Sequence, residues 1–483
     1  MNLNLLSHEW LVLALGLGLL LADLWLPESG RRRLGHVAAL AVLGILLYSL
    51  FAYTIGPGET QYAFGRMYRL DALALFFKRF FLLTALVVII MSLDFSERFQ
   101  SGTSEYYSLL CFALLGMLFA SSVNDFALLF VSLELITISF YVLTSFERTR
   151  QASLEAGIKY LIIGALSTSF TVYGIALVYG MSGRLNFDEL SAVAGSLTGN
   201  KIFLFGLLLV LVGLGFKIAA FPFQIWAPDV YEGAPSPSTA FLAVGSKAAG
   251  FVLLLRVLFS AAPEVTQQWS KLLIIVSGVT ILYGNLCAIP QRNLKRLLGY
   301  SSIAQAGYLL LGIAALSGAG QSAVVYYLSG YLFTVLAAFT VICLVMRHLD
   351  GEDVTALAGL SERAPLLAAA LTFSMVSLAG IPPLAGFFGK FLLFRAALEQ
   401  GGVQPAYYWL VGIAIVGVVI SLYYYFGIVR AIYWSSDVPD RSPIRTSSLV
   451  QISLGVCMAG MLFLGLFPGS LVNLANQVVS VLK

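Results

Sequence analysis

The chain holds 483 residues, of which 59% are hydrophobic and 11% charged, whereas an ordinary soluble domain carries roughly 25% charged residues; a soluble globular protein is excluded. Its 28 Lys and Arg against 24 Asp and Glu give a formal charge of +4, and no stretch concentrates that charge, which argues against nucleic acid as a partner. Four cysteines and three histidines stand apart without metal-ligand spacing, and no glycine-rich phosphate-binding pattern occurs, so no metal, nucleotide or redox cofactor is expected in this chain.

In chain order, apolar runs cover approximately residues 10–27, 34–54, 71–93, 106–122, 124–145, 156–180, 202–227, 237–261, 271–289, 296–317, 322–347, 364–398, 406–434 and 448–472. The first follows no basic segment and lacks a small-residue cleavage site, so it reads as a retained helix rather than a signal peptide. About 20 apolar residues cross a bilayer, so the runs predict an all-α polytopic membrane protein of about fourteen helices. The longest breaks, Asp350 to Arg363 and Ser435 to Ser447, are loop-sized, leaving one membrane domain over 1–483. Odd-numbered loops carry fourteen Lys and Arg, even-numbered loops and the C-terminus six, which predicts both termini on the non-cytoplasmic side. Eight of the 28 remain inside apolar runs: Lys78, Arg79, Lys159, Lys217, Lys247, Arg256, Lys390 and Arg395.

A charge at the bilayer centre costs roughly 2.5–3.5 kcal/mol on insertion scales, so such residues face a protein interior or a hydrated cavity. Lys78, Arg79, Arg256 and Arg395 lie within about two turns of a predicted helix end and are expected to snorkel. Glu134 sits midway along the fifth run with no cation near it in sequence, so its partner must come from another helix. Lys217 follows Gly213 and Gly215 and precedes Phe221-Pro222-Phe223, where proline should break the helix. Unwound backbone at membrane depth is tolerated only inside protein or beside a water-filled cavity. The arrangement returns at Ser377 to Lys390, with Pro382 and Pro383 at the break; there the lysine follows the proline, which suits two halves of inverted topology. Lys247, flanked by Gly245 and Gly250, lies 30 positions after Lys217 on the next run.

Two readings fit these four residues: buried ion pairs that fix helix register, or proton transfer. Lysine suits transfer because burial makes its proton easy to lose and a nearby carboxylate reverses this, whereas arginine keeps its proton throughout. Lys159, four residues after Glu155, is either a surface pair or a proton entry point. Tyr300 opens a polar stretch with Ser301, Ser302 and Gln305 that suits either a water chain or interhelical hydrogen bonds.

The segment Phe216-Lys-Ile-Ala-Ala-Phe-Pro-Phe-Gln-Ile-Trp-Ala-Pro-Asp-Val-Tyr-Glu-Gly-Ala-Pro-Ser-Pro237 resembles the signature of the subunit N family of the bacterial proton-pumping NADH:quinone oxidoreductase, respiratory complex I. Lys295 to Gly307 and the Gly-Ile-Pro-Pro segment ending at Lys390 resemble the same antiporter-like family, and the resemblance spans the chain. It implies three N-terminal helices (1–100), two inverted five-helix repeats (101–265 and 266–435) with broken helices 7 and 12, and a C-terminal helix (436–483). It further implies proton transfer through Glu134, Lys217, Lys247 and Lys390, with Lys159 and Tyr300 at polar positions of the family. Uptake would lie near Lys159 and Lys217 and release near Lys390. Electrons would pass from NADH to quinone in partner subunits of the bacterial inner-membrane complex, which would bind FMN, iron-sulfur clusters and quinone. One departure is Gln224, where the family usually has histidine and where an amide cannot carry a proton near neutral pH. The alternative is a subunit of a multi-subunit cation/proton antiporter using the same residues, and a third reading is a scaffold whose charges only lock helices.

Overall fold

The computed structural model describes residues 3–27, 33–56, 58–96, 102–348, 352–435, 442–444 and 446–482. Among the described residues, thirteen helices are long and apolar enough to cross a membrane. The first five are α1 (Ser7–Asp23), α2 (Arg33–Phe51), α3 (Ala72–Phe95), α4 (Thr103–Ser121) and α5 (Phe126–Thr144). Then come α6 (Gln151–Ser182), α7 (Lys201–Ile218), a short α8 (Trp226–Gly233), α9 (Ser236–Ala261), α10 (Ser270–Ala288), α11 (Leu294–Ala314) and α12 (Gly318–His348). The run expected at 364–398 is split into α13 (Pro365–Ala379) and α14 (Ala385–Gln400), and α15 (Ala406–Trp434), α16 (Ser448–Leu466) and a short α17 (Pro468–Val479) follow. The expected run at 448–472 thus ends early, because Pro468 starts a new helix at a position that needs no backbone donor. A two-stranded hairpin, β1 (Gln61–Ala63) and β2 (Tyr68–Leu70), was also not expected.

Polar caps fix where the helices begin. Asp71 accepts from the Ala74 N–H at 2.8 Å, Asp125 from Ala127 at 2.7 Å and Asn293 from Arg296 at 3.0 Å, satisfying donors that a helix start leaves open. The loops separate onto two faces. On one, Arg150 pairs with Glu352 at 2.5 Å and Asn293 bridges to Asp353, joining loops before α6, before α11 and after α12. On the other, Asn124 and Asn186 both donate to the Arg66 carbonyl at 3.0 Å, the Tyr68 hydroxyl donates to the Leu5 carbonyl at 3.2 Å and Arg69 to that of Val481 at 2.8 Å. The hairpin, the loops before α5 and before α7 and both described ends of the chain therefore share this second face. Of the loop cations behind the expected orientation, Arg31, Arg32, Arg98, Arg441, Arg445, Lys483 and the side chain of Arg347 lie outside the described residues.

Close helix contacts depend on small residues. A Cβ on Gly174 of α6 would sit 2.6 Å from the Gly206 carbonyl oxygen of α7, a backbone approach that only glycine allows. At the centre, α9 is buried except at Phe259 and Ser260 in its last turn and α11 and α12 almost throughout, while α6 lies at the rim.

The snorkelling expectation fails for two of its four residues. Lys78 is buried against Glu9 and the Tyr68 hydroxyl, and Arg256 grips Asp71 with two nitrogens at 2.9 and 3.0 Å and the Ser121 carbonyl at 2.8 Å. Their carboxylates stand at the starts of α1 and α3, far away in sequence, and fold over the cations. Arg79 is half-buried and bonds to carbonyls of Ser49 and Tyr53. Arg395 behaves as expected, exposed beside Glu399 at 2.9 Å.

Candidate proton-transfer site

Both expected breaks are present. The chain leaves α7 through Ala219 at φ 58° and passes a cis Phe221–Pro222 bond before α8; it leaves α13 through Gly380 at φ 84° and passes a cis Pro382–Pro383 bond before α14. The Trp226 indole N–H donates to the Phe216 carbonyl at 3.0 Å and ties the two sides of the first break together.

Lys217 occupies the last turn of α7. Its Nζ donates to the Thr137 hydroxyl of α5 at 2.9 Å and to the Tyr160 hydroxyl of α6 at 3.4 Å. Glu134, nearly one turn before Thr137, accepts from the Thr168 hydroxyl at 2.7 Å. A cavity of about 20 Å³ lies between them, lined by Glu134, Thr137, Ser167, Thr168, Thr171 and Lys217 among others. That is room for about one water molecule, and its walls are polar enough to hold it. The partner that Glu134 needed is thus a hydroxyl and a space shared with Lys217, not an ion pair.

Lys247 follows directly after a π-helical turn, Leu242–Ser246 in α9, the kind of distortion often found at functional positions. Its Nζ donates to the carbonyl of Ser302 at 2.7 Å and to the Ser302 hydroxyl, which also bonds the Tyr231 hydroxyl at 3.0 Å and accepts from Tyr331 at 3.1 Å. Nearly one turn along α11, the Gln305 amide donates to Tyr425 at 3.1 Å and to the Leu378 carbonyl at 3.4 Å, while Ser301 bonds Tyr425 at 2.5 Å. Lys390 donates to that same Leu378 carbonyl at 2.7 Å and to Ala379 at 3.3 Å. These are the open carbonyls at the end of α13, where a cation is favoured. The helix α11 therefore carries polar groups from Lys247 to Lys390.

Lys217, Lys247 and Lys390 are 3%, 2% and 3% exposed, and among the described residues none has a carboxylate within ion-pair distance. Every other buried lysine or arginine whose partners are described differs: Lys78 has Glu9, Arg69 and Arg256 share Asp71, and Lys295 has Glu352 at 3.0 Å. A buried charge with a fixed counter-ion is locked by it; these three lysines are held by hydroxyls and backbone carbonyls instead.

Lys159 stands elsewhere, half-exposed between Glu155 and Asp229, both at 2.6 Å. Asp229 also pairs with Arg296 at 2.6 Å, Arg296 with Glu232 at 2.8 Å, and Asn293 donates to both Glu232 and Glu352. This charged rim covers one face above Lys217. Burial alone would raise the Glu352 pKa, but the charges of Lys295 and Arg150 hold it below the usual carboxylate range. Tyr300 is not brought into the buried chain; its ring lies 6.3 Å from Tyr283 and beneath Arg296, on the opposite side of α11 from Ser302. Gln224 is buried in the first break, and its Oε1 finds no hydrogen-bond partner among the described residues. Sequence reasoning assigned no role to Thr137, Tyr160, Tyr231, Tyr331, Tyr425, Asp229 or Glu232; the available signals were that Asp229, Tyr231 and Glu232 lie within the segment Phe216 to Pro237 and that Tyr160 adjoins Lys159.

Residues 123–421 match the family model described as NADH:quinone oxidoreductase/Mrp antiporter, TM. The chain is 41% identical to NADH-quinone oxidoreductase subunit N of Moorella thermoacetica over 99% of both chains. A chain of respiratory complex I from Thermus thermophilus with bound aureothin superposes with a TM-score of 0.80 at 33% identity, covering 97% of this chain and 99% of that one. A chain of the Mrp complex from Dietzia sp. shares the fold, with a TM-score of 0.80 at 21% identity over 100% and 98% of the two chains. The chain belongs to the NADH:quinone oxidoreductase/Mrp antiporter family, in its subunit N branch.

Proposed function

We propose that the chain is a membrane-arm subunit of an NADH:quinone oxidoreductase that translocates protons, driven by electron transfer from NADH to quinone in other subunits. The observation that carries this reading is the set of three buried lysines without counter-ions among the described residues, each held by hydroxyls or backbone carbonyls. In the proposed path a proton enters beneath the Lys159–Asp229 rim and reaches Lys217. It passes by way of Lys247 and the Ser302–Gln305 side of α11 to Lys390, from which it leaves. Glu134 adjusts the first step: an ionised carboxylate across the shared cavity favours a charged Lys217, and its neutralisation favours proton release. Tyr300 stands outside this path, beside Tyr283 and Arg296.

The proposed repeats, 101–265 and 266–435, draw support from the two breaks, each with a positive-φ residue, a proline and one lysine. The bias of loop cations supports placing the face with both chain ends away from the cytoplasm, in a bacterial inner membrane. FMN, iron-sulfur clusters and quinone would reside in the partner subunits. The cation/proton antiporter reading would use the same residues; end-to-end identity with subunit N relatives favours the oxidoreductase. Copurification separates them, since the oxidoreductase subunit comes out with flavin and iron-sulfur partners.

The direct test is Lys217→Ala and Lys390→Ala in the assembled enzyme in sealed vesicles, following NADH oxidation and acidification together. Pumping should fall steeply in both. Full pumping would refute the relay.

A further inference from the structure

A cavity of about 530 Å³ opens between α2, α3, α12, α16 and α17, away from every residue of the lysine chain. Its α3 wall is Ala72, Leu75, Phe76, Arg79, Phe80 and Leu83, which three- and four-residue spacing places on one helix face. At about 1.5 Å per residue that wall runs roughly 16 Å inward from the face bearing the chain ends, or one leaflet of a hydrocarbon core ~30 Å thick. The helix α17 roofs the slot, turning Leu471, Leu474 and Val478 toward it, as an interfacial amphipathic helix would.

The slot contains one cation. Arg79 rises from α3 to the end of α2, where its Nη2 donates to the carbonyls of Ser49 at 2.6 Å and Tyr53 at 2.7 Å and its Nε to the Ser49 hydroxyl at 3.3 Å. Its Nη1 has no partner among the described residues and no carboxylate lies within ion-pair distance, so a net positive charge is held at headgroup level above an apolar shaft. A transmembrane helix spans the full ~30 Å of hydrocarbon, about twice the length of this wall, whereas one acyl chain spans a single leaflet. A polar ligand would leave most of the wall unsolvated.

We propose that this cavity binds one acyl chain of an anionic phospholipid from the leaflet on that face, with its phosphate against the Arg79 guanidinium. The intact complex is reconstituted in phosphatidylcholine vesicles containing phosphatidylglycerol with a photoreactive acyl chain, and labelled peptides are mapped by mass spectrometry. Label should fall on α3 between Leu75 and Leu83 and on α17. Arg79→Gln should lower it about fivefold, the equivalent of about 1 kcal/mol for one cation near the surface, and Arg79→Lys should restore most of it. Leu474→Trp, at an exposed position of α17, should block the slot and reduce labelling whichever headgroup is used. Three results overturn the proposal: an unlabelled α3, labelling unchanged in both Arg79→Gln and Leu474→Trp, or a cross-link from α3 to a neighbouring subunit in place of lipid. If Arg79→Gln does not assemble, unchanged labelling in Leu474→Trp overturns it alone.

Discussion

Two kinds of buried cation coexist in this chain, and one substitution separates their roles. An electrostatic lock needs only a positive charge, so Arg serves it as well as Lys; a proton carrier must also lose that charge, which Arg, charged throughout the physiological range, does not do. Lys247→Arg should therefore leave the complex assembled and reduce pumping at least tenfold, about 1.4 kcal/mol or more on the limiting step. Retained pumping would favour the lock. The opposite holds at Asp71. Asp71→Asn strands Arg256, which is fully buried, and removing one member of such a pair costs about 3–5 kcal/mol; assembly should fail before pumping does, as native gels would report. At this scale the charges were legible in the sequence because a lysine or glutamate stands out in an apolar run. The hydroxyls were not, because 23 tyrosines and many serines look alike until helix packing turns some inward. Tyr300 illustrates this: it is adjacent to Ser301 in sequence, yet about 100° of helical rotation per residue sends it to the other side.

The breaks are where helices acquire chemistry. Gly380 lies at φ 84°, a region that costs an L-residue about 1–2 kcal/mol, and a Cβ there would stand 2.9 Å from the Lys390 Cδ. Gly380→Ala should thus lower the melting temperature of the complex and push Lys390 off the Leu378 and Ala379 carbonyls, with a pumping loss approaching that of Lys390→Ala. Gly412→Ala, where a Cβ would meet nothing, should change neither and serves as the control. Proline made both breaks legible. The π turns of α9 were not, since no residue type marks them, and the break at Pro468 was hidden by the apolar residues on both sides of it. The Lys78–Glu9 and Arg256–Asp71 pairs were illegible for a different reason: helix ends come together only in three dimensions, and the second pair spans 185 positions of sequence.

Across the whole molecule the two faces differ in how they are held. The rim above Lys217 is an ion network centred on Glu352, which lies outside the membrane helices and whose folded pKa sits below its ordinary 4.5. A depressed carboxylate stabilises fully above its unfolded pKa and loses that contribution as pH falls through its folded value. Stability between pH 7 and 5 should accordingly be flat with respect to this group and decline below about 4.5. Glu352→Gln should remove that part of the acid limb and lower stability at neutral pH by about 1–3 kcal/mol, because Lys295 is left buried without its anion while the more exposed Arg150 contributes little. The opposite face is joined by carbonyl contacts of Arg66 and Arg69 and holds both described chain ends. Its side of the membrane can be measured with a single reporter on each face. Of the native thiols Cys287 is half-buried and the other three are buried, so background labelling by an impermeant maleimide should be low. Arg148→Cys on the rim face should label only in vesicles with the cytoplasmic surface outward, and Ser196→Cys on the other face only in vesicles of the reverse orientation; both positions are exposed. The reverse pattern would move proton entry to the face bearing the chain ends and would require the path to run from Lys390 to Lys217.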